Sequence, residues 1–150
     1  MNESNSLQQK TFTERLHELS FGFWFLIGAM LFVLTQLVRW LVITTEQQIF
    51  LNDKFAFSLN VSTPLMYSLY LVAMLFIGHY LVTNWNKMYA ISKFGFLLII
   101  TGGVSNVIER IFNGKVVDYF FIANGVLNLA DFYIIIGIIL IFIQRGYKET

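Results

Sequence analysis

A chain of 150 residues with a net charge of +1, 57% hydrophobic and only 13% charged residues lies well outside the soluble norm of about a quarter charged. That balance points to a membrane protein forming one compact unit, leaves no basic footprint for a nucleic acid, and, without cysteine, excludes disulfides, thiolate metal sites and a cysteine nucleophile. His17 and His79 are the remaining imidazoles and carry no HxxxH or Cys/His spacing, so neither a metal nor another cofactor is expected.

Residues 1–20 are too polar for a cleaved signal peptide, with Glu3, Glu14 and Glu18 and no small-residue cleavage site before Phe21. Leu7, Phe12, Leu16 and Leu19 leave part of one helical face apolar, which suits either a cytoplasmic interfacial helix or a disordered segment. Four apolar segments follow, at 21–43, 65–82, 88–108 and 126–143. Each has roughly the 17 to 25 residues that a helix needs to cross a hydrocarbon core about 30 Å thick. The second is opened by Ser62-Thr63-Pro64, with Thr63 as a cap and proline at the first helical position. The third requires Lys93 to snorkel from its end. His79 reads as a helix-contact or headgroup residue, and Gly102 and Gly103 as sites of close helix packing. The expected fold is mainly α, a four-transmembrane-helix bundle occupying residues 1–150 as a single integral membrane domain.

Two loops carry strand signals. In IFLNDKFAFSLNV, Asn52-Asp53 marks a turn, and Phe55, Phe57, Leu59 and Val61 alternate with period two, predicting a hairpin on the membrane surface. In RIFNGKVVDYFF, Asn113-Gly114 between apolar runs predicts a second hairpin. Together they would form a small extracytoplasmic β cap over the helix ends.

An even number of spans puts both termini on one side. Lys10, Arg15, Lys87, Lys93, Arg145 and Lys148 fall with the termini and the middle loop, and Arg39, Lys54, Arg110 and Lys115 with the other two loops, which favours cytoplasmic termini. Trp40 and Trp85 then sit near opposite interfaces. The costly polar residues gather at the outer helix ends: Thr35, Gln36 and Arg39, then Asn106, Glu109 and Arg110, then Asn128 and Asp131. Thr35/Arg39, Asn106/Arg110 and Asn128/Asp131 are spaced i to i+3 or i+4, so each pair shares a face. An ionisable group costs roughly 2.5 to 3.5 kcal/mol at a helix centre, which makes such residues functional candidates. Taken singly, each has a plainer reading: Asp131 as a capping or helix-pairing residue, Asp118 as a solvated hairpin aspartate, Asn52 as a turn residue, Arg110 and Glu109 as interfacial groups.

The run GGVSNVIERIFNGKVVDYF resembles the pattern of bacterial prolipoprotein signal peptidases (signal peptidase II): a glycine-rich helix end, Asn, an acidic-Arg pair, Gly, then Val-Val-Asp-aromatic. LNLADFYI is similar to the Asn-x-Ala-Asp signature that opens the family's last helix, and NDKFAFSL to its first-loop Asn-x-Gly-Ala-Ala-Phe motif. The likeness runs from about Leu34 to Ile134 in the family's order. It implies a membrane aspartic endopeptidase of the bacterial cytoplasmic (inner) membrane, multi-pass, with its active site near the outer leaflet. Its substrates would be diacylglyceryl-modified prolipoproteins, met among membrane lipids, and the enzyme would work as a monomer. Asp118 and Asp131 correspond to the catalytic dyad, and Asn52, Asn106, Arg110 and Asn128 to its polar surround. Two close carboxyls cannot both ionise cheaply, so the pair shares a proton and can activate water.

Several positions depart from the family pattern. Thr35 and Arg39 stand where Asp and Lys are usual, Asp53 replaces a glycine, Ser105 replaces a glycine, and Glu109 replaces an aspartate. Thr35 and Glu109 motivate an alternative, a catalytically impaired paralogue that binds lipoprotein precursors or lipids. A small ion or proton pathway using Asp131 and Glu109 is the third reading.

Overall fold

The computed structural model describes residues 19–54, 61–123 and 125–146, with side chains up to Gln144. The N-terminal interfacial segment and the alternating residues Phe55, Phe57 and Leu59 lie outside the described residues.

Helix α1 spans Phe21–Thr44, and the Ser20 hydroxyl at its N-cap accepts from the Phe23 backbone N–H at 3.3 Å. Strand β1 is Phe50–Asn52. Helix α2, Thr63–Asn84, carries Pro64 in its first turn; Ser62 rather than Thr63 occupies the N-cap, and its side chain makes no capping bond. A 3-10 turn, Trp85–Lys87, leads into α3, Ala90–Asn113. Three short strands follow, β2 Val116–Asp118, β3 Phe120–Ile122 and β4 Gly125–Leu127, and then α4, Leu129–Gly146. Among the described residues, α1, α2 with its following turn, and α3 are long and apolar enough to cross a membrane, while α4 is a shorter apolar helix. Phe25, Val72, Phe76 and Phe142 face outward and Trp24, Met66 and Leu98 inward, an exterior suited to lipid.

The helix bounds differ from the apolar segments for local reasons. The third continues past Ile108 to Asn113 because Glu109 and Arg110 find partners inside the protein instead of ending the helix in water. The fourth begins at Leu129 rather than Val126, since Val126 and Leu127 belong to β4.

Asn113-Gly114 does not turn a hairpin. Asn113 is the last residue of α3, and Gly114, at φ 72°, closes the helix with its N–H on the Arg110 carbonyl at 2.9 Å. The left-handed conformation that suits glycine in a tight hairpin is the one a helix C-terminus uses. The strand that follows pairs with a distant partner. β2 runs antiparallel to β1 in the register Phe50↔Asp118, Leu51↔Val117, Asn52↔Val116. The local hairpin is instead β3–β4, with Ala123 at φ 47° in its turn.

The tightest packing is between α3 and α4, where backbones meet through glycine. A Cβ on Gly102 would collide with the Ala130 carbonyl, and one on Gly137 would lie 2.5 Å from the Gly95 carbonyl. α2 touches α3 through fewer side chains, including Met74 against Gly103 and Tyr80 against Phe96 at 5.2 Å between ring centroids. At the start of α1, Phe21 and Trp24 pack on Trp85 at 5.5 and 6.4 Å, so Trp85 and Trp40 do lie at opposite ends of α1. Lys93 is 2% exposed, and its Nζ reaches back past the start of α3 to lie 5.0 Å from the centroid of the Trp85 ring, an aromatic face that receives a cation.

Candidate active site

Asn128 and Asp131 open α4 with a reciprocal cap. The Asn128 Oδ1 accepts from the Asp131 backbone N–H at 3.0 Å, and Asp131 Oδ2 accepts from the Asn128 backbone N–H at 3.1 Å. This is the geometry of a capping box, with Asn and Asp in place of the usual Ser/Thr and Glu, and it satisfies a helix N–H that has no intrahelical acceptor. It also fixes the Asp131 carboxyl from one side. From the other, Asn106 Nδ2 of α3 donates to Asp131 Oδ1 at 2.8 Å across the glycine seam.

Asp118 ends β2 and is wholly buried, at 0% exposure. Both of its oxygens are engaged: Oδ1 accepts from Asn128 Nδ2 at 2.8 Å and Oδ2 from Asn52 Nδ2, at the end of β1, at 2.9 Å. Asn128 Nδ2 also donates to Asn106 Oδ1 at 3.2 Å. One asparagine therefore holds both aspartates, the first through its amide and the second through its backbone. Burial pushes the Asp118 carboxyl above its ordinary value near 3.8. The hydrogen bonds from Asn128 and Asn52 oppose that shift, the charge of Asp131 adds to it, and Arg110 opposes it.

Arg110 reaches from the last turn of α3 to the loop after β1, where Nη2 donates to the Lys54 carbonyl at 2.9 Å. Asn52 Oδ1 meanwhile accepts from the Lys54 backbone N–H at 3.0 Å, so Asn52 is both a turn residue and a contact of Asp118. All six residues singled out from the sequence, Asp118, Asp131, Asn52, Asn106, Arg110 and Asn128, thus come together around one network. Among the described residues no group of three or more His, Asp or Glu side chains converges.

Two tyrosines join the site in roles that the sequence does not show, Tyr119, the aromatic that follows Val-Val-Asp, and Tyr70. The Tyr119 hydroxyl accepts from the Leu129 backbone N–H at 3.2 Å, serving a second donor at the start of α4, and burial raises its pKa above the usual phenol value. Tyr70 of α2 faces the Arg110 guanidinium, 5.9 Å from its ring centroid. A tyrosine inside an apolar run gives no periodic signal that separates it from filler.

Four of the departures meet in pairs. Thr35 Oγ1 lies 3.1 Å from Ser105 Oγ, which also accepts from Gln36 Nε2 at 2.9 Å. One turn further along α3, Glu109 Oε1 pairs with Arg39 Nη1 at 3.3 Å. These side chains, with Val117, Tyr119, Asn128 and Ala130, line a cavity of about 10 Å³, room for roughly one water among polar partners. The charge missing at Thr35 therefore leaves a hydroxyl cluster in its place.

Residues 27–145 match the family described as signal peptidase (SPase) II. The chain is similar to the lipoprotein signal peptidase of Clostridioides difficile, 37% identical over 83 residues, covering 53% of this chain and 55% of that protein. It is likewise similar to that of Bartonella henselae, 42% identical over 69 residues, covering 42% of this chain and 41% of that protein. The chain thus spans about half the length of the curated relatives it matches. A solved bacterial membrane enzyme shares the fold, with a TM-score of 0.71 over 87% of this chain and 91% of that one at 20% identity.

Proposed function

The chain belongs to the signal peptidase II family and is a multi-pass membrane protein, and we propose that it is an aspartic endopeptidase that removes signal peptides from diacylglyceryl-modified prolipoproteins. In this reading residues 1–150 form one integral unit in which α4 spans the bacterial cytoplasmic membrane together with α1, α2 and α3. The termini face the cytoplasm, and the two short sheets cap the helix ends near the outer leaflet, where an anchored precursor presents its peptide bond. It acts as a monomer among membrane lipids.

The observation that carries the reading is the double grip of Asn128 on Asp118 and Asp131. Asn128 and Asn106 tie the two carboxyls into one hydrogen-bonded set, and in this reading they share a proton that the buried member, Asp118, carries. Asp131 is left to take a proton from water as the water oxygen attacks the scissile carbonyl carbon. The Asp118 proton supports the developing oxyanion. Collapse of the tetrahedral species breaks the C–N bond, and the leaving nitrogen takes the proton held by the dyad. Asn52, Asn106 and Asn128 keep both carboxyls in place through the cycle, and Arg110 holds the loop that follows Asn52.

The test is turnover of a diacylglyceryl-modified precursor by the purified protein in lipid nanodiscs. Asp118→Asn and Asp131→Asn are each expected to lower kcat by about 100- to 10,000-fold, the range of positioned acid–base groups, while both variants accumulate in the membrane. Cleavage retained in either variant sinks the dyad. Precursor binding without turnover by the wild-type protein transfers the assignment to the noncatalytic reading, and proton flux in liposomes to the pathway reading.

A further inference from the structure

The carboxyl of Glu109 is used by nothing in that mechanism, yet it is 5% exposed and sits beside the strand that carries Asp118. Its Oε1 accepts from the Val117 backbone N–H at 2.9 Å. In an antiparallel ladder, alternate residues turn their backbone groups toward the partner strand and away from it. Val117 turns its N–H away from β1, and Glu109 stands where a third strand would otherwise supply a carbonyl.

That matters because β1 and β2 are only three residues each, and an isolated two-stranded ribbon is marginal. The ribbon is held from outside by consecutive residues of α3. Arg110 fastens the loop after β1 through the Lys54 carbonyl, and Glu109 fastens the free edge of β2 next to Asp118. Glu109 is in turn fixed by Arg39 of α1 at 3.3 Å, a guanidinium 25% exposed at the rim. One turn back, Thr35 and Gln36 of α1 meet Ser105, so the same face of α1 braces the same face of α3 at two levels. Val116 and Val117 are buried, and without the Glu109 carboxylate the Val117 N–H would lose the acceptor that the protein itself supplies.

From this geometry we infer that Glu109, oriented by Arg39, is a positioning residue: it completes the free edge of β2 and thereby sets where the Asp118 carboxyl meets Asn128 and Asp131. The inference rests on the peptidase reading for its kinetic consequence and on β2 alone for its structural one. As a positioning residue Glu109 acts through Asp118, so its loss should act on kcat and not on binding.

Two substitutions separate the roles. Glu109→Met keeps volume and removes the acceptor, whereas Glu109→Gln keeps an oxygen for Val117 and removes only the charge. In nanodiscs with the lipidated precursor, Glu109→Met is expected to lower kcat about 100-fold with KM within about twofold, the scale of loss when a reacting group is misplaced by about 1 Å. Glu109→Gln is expected to stay within about tenfold of wild type, as a rescue by the conservative variant. Amide hydrogen exchange supplies an arm independent of turnover. In the wild-type protein Val117 should exchange within about tenfold of Val116 and Asp118, its neighbours in the strand, and Glu109→Met should accelerate it while Glu109→Gln does not.

Glu109→Met with wild-type kcat, or with lowered thermal stability but unchanged kcat per folded molecule, overturns the inference. So does rapid exchange of Val117 in the wild-type protein, a reading that requires no variant to fold. If the wild-type protein cleaves no precursor, the peptidase reading falls, and the exchange rates of Val117 still decide for or against the clamp.

Discussion

Asp131 and Asp118 arrive at the same asparagine from opposite kinds of structure. Asp131 stands three residues into a helix, held by a cap its own segment makes and by Asn106 across a seam where glycine lets two backbones touch. Asp118 ends a three-residue strand whose partner, β1, lies more than sixty residues earlier in the chain, and whose other edge is closed by a side chain. One half of the site is fixed by local backbone geometry and helix packing. The other depends on distant segments agreeing, so the two halves should fail differently.

Asn128 is where the halves join, so removing its side chain should do the most damage after the aspartates themselves. Asn128→Ala deletes a helix cap, usually about 1 kcal/mol, together with a hydrogen bond to a carboxyl group, about 1.5 to 3 kcal/mol when that group is charged. The expected outcome is a lower melting temperature and a fall in kcat of about 100-fold or more, larger than for Asn52→Ala or Asn106→Ala, read by calorimetry and precursor turnover. The Asp131 half alone is reached through the seam. Gly102→Val places a side chain against the Ala130 carbonyl, and overpacking of this kind costs about 1 to 3 kcal/mol. Because Asn106 lies one turn further along α3, its bond to Asp131 should lengthen as the helices part, and Asp131 should lose more of its order than Asp118.

The Asp118 half is reached through Asn52. Its hydrogen bond favours the ionised carboxyl, so Asn52→Ala should raise the Asp118 pKa further. If Asp118 carries the proton, the alkaline limb of the kcat profile then moves to higher pH, a shift that Asn106→Ala should not reproduce. A smaller effect concerns stability. Asp118 has a raised pKa in the folded chain, so the native state binds more protons than the unfolded one at pH values above the ordinary carboxyl pKa near 3.8. Folding stability should therefore fall as pH rises through that window, and Asp118→Asn should flatten the slope in a series of chemical unfolding curves.

The same contrast explains what could be seen in the letters alone. Asn106/Arg110 and Asn128/Asp131 were legible because helical spacing is local and puts each pair on one face. The pairing of β1 with β2 was not, since two three-residue strands on either side of two helices leave no turn signal between them. Asn113-Gly114 misled for a physical reason: a glycine that permits positive φ serves a helix end as well as a hairpin. For Lys93 the letters showed the need to reach out of its helix, but not the face of Trp85 that its Nζ meets. The Glu109–Arg39 pair appeared only as two departures from a pattern until the helices brought them within 3.3 Å.

If the two aspartates form one unit, each must feel the charge of the other. Titration of the Asp118 side-chain carbonyl, followed by its carbon chemical shift in selectively labelled protein in nanodiscs, measures this without any substrate. Asp118 should take up its proton above the ordinary carboxyl value, and Asp131→Asn should move that titration to lower pH by removing a like charge. A titration at the ordinary value that Asp131→Asn leaves in place would contradict the shared site.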